Sequence, residues 1–123
     1  MDEILLQMRS REVRFPRRPL IMGIVNINDD SFSGDGRVDV DWAIEYSRRQ
    51  VAAGADILDV GAESARTNRE AISEAEEQQR LIPLVQRFKE VWEGLTPVYE
   101  RQVWPPLLSI NSWRAPVARA VLS

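Results

Sequence analysis

Three short polar clusters, each placed where an apolar run stops, hold the residues of this chain that could do chemistry. The first opens with Asn26 and continues through Asn28, Asp29, Asp30, Phe32 and Asp35. The second is Glu63-Ser64-Ala65-Arg66, and the third is Asn111-Ser112. An asparagine offers an amide oxygen to a hard cation and an amide nitrogen to a phosphate oxygen. At Asn26 the same side chain also suits a turn after a strand. Aspartates beside Gly34 and Gly36 suit metal ligation or stabilisation of a cationic intermediate, and equally a solvated turn. Phe32 in that loop could close over a ligand or pack the loop down. Arg66 beside the Ser64 hydroxyl suits a carboxylate or phosphate, the alternative being a surface ion pair. Asp59 interrupts an apolar run, where a carboxylate is costly unless paired. It is either an anchor or a group that points into a site.

The elements that must position these residues follow from periodicity. Leu20–Val25 is a continuous apolar run, the pattern of a strand covered on both faces. A helix fits from about Asp41 to Ala53, with Asp39 or Asp41 as N-cap and Gly54 as its stop. The second strand is Asp56–Val60. Ser73-x-x-Glu76 is a capping box, and Leu81, Leu84, Val85, Phe88, Val91 and Trp92 form an apolar face behind it. Pro83 lies within that face and predicts a kink or a restart. Glu74, Glu76 and Glu77 read as a solvated first turn. An irregular connector spans 94–106, the third strand is Leu107–Asn111, and a last helix begins near Ala115-Pro116. Residues 1–19, with Pro16 and Pro19, read as an extended lead-in rather than a helix. The order is β-α-β-α-β-α, an α/β class with parallel strands, and the strand ends share one rim. Three such units cannot close a (β/α)₈ barrel but are compatible with the first part of one, 20–123 then being an incomplete barrel domain. Apolar strand edges predict association of the isolated piece.

Composition narrows the chemistry. The 123 residues carry 16 basic and 19 acidic side chains, a net charge of −3, with no general attraction for nucleic acid or anionic membrane. Arg9, Arg11, Arg14, Arg17 and Arg18 cluster near the start, either as a solvated segment or as a binding patch. There is no cysteine and no histidine. Thiolate and imidazole metal sites are excluded, leaving a hard ion held by oxygens, Mg²⁺ above all. No apolar run approaches the roughly 20 residues of a membrane span, and no signal peptide precedes the first strand, so the expected location is cytoplasmic.

Residues Met22-Gly23-Ile24-Val25-Asn26-Ile27-Asn28-Asp29-Asp30-Ser31-Phe32-Ser33 resemble the first signature of the dihydropteroate synthases, M-G-I-L-N-V-T-P-D-S-F-S. Gly54 to Arg66, GADILDVGAESAR, resembles their second, G-A-D-I-I-D-V-G-G-E-S-T-R. Ser109-Ile110-Asn111-Ser112 is similar to S-I-D-T. The resemblance implies a TIM barrel whose mouth binds a pterin. It implies a transferase of folate biosynthesis that joins 6-hydroxymethyl-dihydropterin pyrophosphate to p-aminobenzoate with Mg²⁺ assistance. Asn26 would then be the metal- and pyrophosphate-associated asparagine. Phe32 and Asp35 would shelter the reacting carbon, Arg66 would meet substrate anions beside Ser64, and Asn111 would contact the pterin. Asp59 is carried as a further substrate-side residue.

The departures are Asn28-Asp29 for Thr-Pro, Gly34 before the expected S-D-G register, Ala65 for a threonine and Asn111 for an aspartate. Further pterin contacts in the family come from later strands, so the 123-residue chain alone is expected to be inactive, and a full-length parent could be a homodimer. Two other readings stay open. A pterin-dependent methyltransferase domain shares the barrel, although Asn26 and Arg66 favour pyrophosphate chemistry. A divergent, non-catalytic pterin-binding or interaction module accommodates Ala65 and Asn111.

Overall fold

The computed structural model describes residues 2–8, 11–27, 40–62 and 72–123. Strands β1 (Ile4–Met8) and β2 (Arg11–Phe15) pair antiparallel, with Ile4 opposite Phe15 and Met8 opposite Arg11. The lead-in is thus a hairpin folded on itself. Its cohesion comes from Val13, which packs with Met8, Phe15 and Leu20 against Ile57, Val103 and Leu107.

The remaining order is β3 (Met22–Asn26), α1 (Val40–Ala52), β4 (Ile57–Gly61), α2 (Glu74–Gln86), a 3₁₀ turn (Phe88–Val91), β5 (Leu107–Asn111) and α3 (Ala115–Leu122). The three strands form one parallel sheet in the order β3-β4-β5. Side chains alternate across a strand, so residues in register share a face. Val25, Leu58 and Val60 point toward the helices and are fully buried with Ala43, Ile44, Val51, Leu81, Leu84, Val91 and Val117. The opposite face begins with Ile57 and Leu107 against the hairpin. Further along it, Met22 and Ile24 are 51% and 54% exposed. Here the expectation of a strand covered on both faces is corrected for β3. A three-strand sheet does not close on itself, and the hairpin reaches only its lower edge.

Polar side chains hold the lower edge in register. Asp56, wholly buried, accepts from the backbone N–H of Ile21 at 2.8 Å and of Val103 at 2.9 Å, so one carboxylate aligns the lead-in to β3 with the connector before β5. Gln102 donates to the carbonyls of Val51 (3.1 Å) and Ala55 (2.9 Å), which lie at the end of α1 and need acceptor partners. Gly54 takes φ +115° where α1 stops, a conformation suited to glycine. In α2, the Ser73 hydroxyl accepts from Glu76 N–H at 3.0 Å, as the capping box predicts, while the Glu76 carboxylate meets Arg80. Pro83 does not end the helix, which runs on to Gln86 before the chain tightens into the 3₁₀ turn. Among the described residues no helix is long and apolar enough to cross a membrane.

Candidate functional site

The carboxyl ends of β3, β4 and β5 place Asn26, Gly61 and Asn111 side by side, in register across the sheet. Two strand spacings separate the asparagine backbones, about 10 Å. Both asparagines are exposed, and Gly61 contributes no side chain between them. A Cβ at Gly61 would lie 3.4 Å from the Asn111 Cβ and 3.6 Å from its Nδ2. Gly61 is itself buried, and its lack of a side chain leaves room for that of Asn111 beside it. Ile27 N–H donates to the Gly61 carbonyl at 2.7 Å, carrying the β3–β4 ladder up to the rim.

One row below on the same face lie Ile24, Asp59 and Ser109. The Ser109 hydroxyl donates to Asp59 Oδ1 at 2.7 Å across β4–β5. Asp59 is thus half-buried, on the rim-bearing face, and tied to the neighbouring strand. Asn26, Asp59 and Asn111 are brought onto one surface. Phe32, Asp35, Ser64 and Arg66, the other expected site residues, lie outside the described residues.

The two ends of the segment that holds Ser64 and Arg66 are anchored by cations. Arg80, buried on α2, donates to the carbonyl of Ala62 at 3.0 Å and to Glu76 at 2.7 Å. Arg114 donates to Glu77 at 2.8 Å and also to the carbonyl of Ile72, where the chain re-enters α2. The Ser112 hydroxyl accepts from Arg114 N–H at 3.2 Å, placing the arginine at the start of α3. Glu77 is 1% exposed, so the expectation that it belongs to a solvated first turn is corrected. Its spacing held the signal. Glu77 stands four residues before Leu81 and seven before Leu84, on the helix face that is buried.

Among the described residues, the polar groups at the rim are neutral amides and one engaged carboxylate. Among the described residues no group of three or more acids is placed to hold a metal ion by itself. That set fits a hard cation which keeps water and phosphate oxygens and takes one or two protein ligands, the usual manner of Mg²⁺. It does not fit a dedicated protein cage.

The comparisons agree with this geometry. A family described as pterin binding enzyme matches residues 22–123. The dihydropteroate synthase of Clostridium beijerinckii is 36% identical over 118 residues, covering 95% of this chain and 39% of that protein. That of Bacillus subtilis is 36% identical over 85 residues, 68% of this chain and 30% of that protein. Among solved structures, Xanthomonas albilineans dihydropteroate synthase with 4-aminobenzoic acid superposes with a TM-score of 0.69 at 32% identity, over 92% of this chain and 37% of that one. The Burkholderia cenocepacia enzyme complexed with 7,8-dihydropteroate gives 0.69 at 32%, over 96% and 34%. The chain spans about two fifths or less of each of these relatives. Its three parallel βα units are accordingly a segment of a TIM barrel, with the rim row at the mouth. With its sequence match and its strand-end polar row in agreement, the chain belongs to the family of pterin binding enzymes.

Proposed function

We propose that this chain supplies the pyrophosphate side of a dihydropteroate synthase site, in which p-aminobenzoate is joined to 6-hydroxymethyl-dihydropterin pyrophosphate. The observation that carries this reading is the row Asn26–Gly61–Asn111. It presents two exposed amides on either side of a glycine at the mouth end of a sheet whose relatives include structures bound to 4-aminobenzoic acid and 7,8-dihydropteroate.

The reaction forms a bond from the aminobenzoate nitrogen to the pterin methylene carbon. It breaks the bond from that carbon to pyrophosphate oxygen, and the nitrogen releases a proton. Asn26 Nδ2 donates to a departing phosphate oxygen, which stabilises charge as it develops. Asn26 Oδ1 is the protein oxygen that would hold Mg²⁺ beside the pyrophosphate; the ion would neutralise phosphate charge there. Asn111, on the other side of Gly61, can both donate to and accept from the polar edge of the pterin. Where the family has a carboxylate, this neutral amide makes the weaker contact, since hydrogen bonds to charged groups contribute about 1.5–3 kcal/mol against about 0.5–1.5 for neutral ones. Arg66 with Ser64 would meet substrate anions, and Phe32 with Asp35 would shelter the reacting carbon. Asp59, held by Ser109, supports the row from beneath.

A chimera tests the reading. The matched 118 residues of the Clostridium beijerinckii synthase are exchanged for the corresponding residues of this chain, and binding of the pterin pyrophosphate is followed by calorimetry with and without Mg²⁺. Mg²⁺-dependent binding that Asn26→Ala abolishes is expected. Binding of equal strength without Mg²⁺ contradicts the pyrophosphate role and favours a pterin site of another chemistry.

A further inference from the structure

At the end of the sheet opposite the rim lies a cavity of about 350 Å³, between β2 and the connector that precedes β5. Its wall includes Arg11, Arg14, Arg17 and Arg101, together with Glu12 and Trp104. Backbone carbonyls hold three of these guanidinium groups. Arg17 donates from Nη1 to the carbonyl of Arg101 at 3.0 Å and from Nε to that of Arg18 at 2.9 Å. Arg101, itself at φ +69°, donates to the carbonyl of Arg14 at 3.2 Å, and Arg11 donates to the carbonyl of Pro105. Carbonyl acceptors satisfy a guanidinium geometrically without cancelling its charge. Among the described residues, Arg14 pairs with Glu3 at 2.7 Å and Glu12 at 3.4 Å, and Arg17 with Asp56 at 3.7 Å; Arg11 and Arg101 make no ion pair there.

Arg17 is the telling group. Its side chain is only 3% exposed, and its Nη2 makes no hydrogen bond. It forms an ion pair with the buried Asp56 Oδ1 at 3.7 Å, a separation too long for a hydrogen bond. A buried guanidinium N–H without a hydrogen-bond acceptor is costly, and the ion pair with Asp56 offsets that cost only in part. Arg11, which donates to the Pro105 carbonyl, is partly buried, and burial pulls its guanidinium below the usual range. A volume of this size is at the small end of ligand pockets. Planar guanidinium forks match phosphate oxygens in pairs, and Trp104 offers a flat apolar wall.

We propose that this cavity binds a phosphate-type oxyanion, held by the guanidinium groups of Arg11, Arg17 and Arg101, at a site separate from the rim. Calorimetry of the 123-residue chain in EDTA and low salt tests it, with inorganic phosphate, pyrophosphate and adenosine monophosphate as separate ligands. Saturable binding that weakens with added salt is expected. Arg11→Gln and Arg101→Gln should each weaken it about tenfold or more, the loss of one charge-assisted hydrogen bond. Asn26→Ala at the rim should leave it unchanged. Tighter binding of adenosine monophosphate than of inorganic phosphate would identify the ligand as a nucleotide whose ring meets Trp104; equal binding would identify the bare oxyanion. Arg17→Gln should abolish binding, and if that variant fails to fold, the two partly exposed arginines decide. No saturable binding by any of the three anions overturns the proposal. So does binding that survives both Arg11→Gln and Arg101→Gln, or that disappears with Asn26→Ala.

Discussion

Arg114, in the turn after β5, donates to Glu77 on α2 at 2.8 Å, and the two side chains are 11% and 1% exposed. The pair fastens the third rim turn to the helix that follows the second. Removing one partner leaves the other charge buried. Glu77→Ala should therefore lower the unfolding free energy by about 3–5 kcal/mol. Urea denaturation of Glu77→Ala, Arg114→Ala and the double variant provides the check. The expected double loss is well short of the sum of the singles, and strict additivity would show that the pair is not coupled.

Gly61 separates fold from site. An added methyl would meet Asn111 at 3.4 Å, an ordinary contact, so Gly61→Ala should change stability by less than about 1 kcal/mol. The same methyl takes up room beside the Asn111 side chain. In the chimera, Gly61→Ala should weaken Mg²⁺-pyrophosphate binding about tenfold, roughly the 1.4 kcal/mol of one lost good contact. A variant that binds normally would remove Gly61 from the site.

Tyr99 gives the lower edge a pH response. Burial first, and the nearby Asp56 carboxylate second, push its phenol up to about 12 from the usual 10. The unfolded chain thus loses this proton before the folded one does. Stability from Tyr99 is complete below about pH 10 and is lost as pH rises toward about 12. The urea midpoint should fall across that window and fall less in Tyr99→Phe. Identical slopes in the two proteins would refute the assignment.

Much of this was legible in the residues, for reasons that can be named. The apolar runs at Leu20–Val25, Asp56–Val60 and Leu107–Asn111, together with the Ser73 cap, fell within a residue or two of the observed elements. Local chemistry dictates such boundaries. The hairpin was not visible because β1 is apolar yet exposed, and β2 alternates charges around Val13. Its pairing is decided by contacts with Val103 and Leu107, some ninety residues away. Glu77 was misread for a related reason. Three acids in a first turn look solvated until a distant arginine, Arg114, is seen to meet one of them. At the rim, the strand ends of Asn26 and Asn111 were readable. The central place of β4, which puts Gly61 between the two amides, came only with the sheet order.

The central claim is that the rim row serves pyrophosphate release from a pterin substrate, with Asn111 as a weakened contact. Steady-state kinetics of the chimera test it most directly, with pyrophosphate and dihydropteroate measured together. The two products should appear in equal amounts and only with Mg²⁺, Asn26→Ala should abolish turnover, and Asn111→Asp should raise kcat/KM for the pterin substrate about tenfold. A folded chimera that binds the pterin pyrophosphate but releases none, with Asn111 or with Asp at that position, would contradict the account.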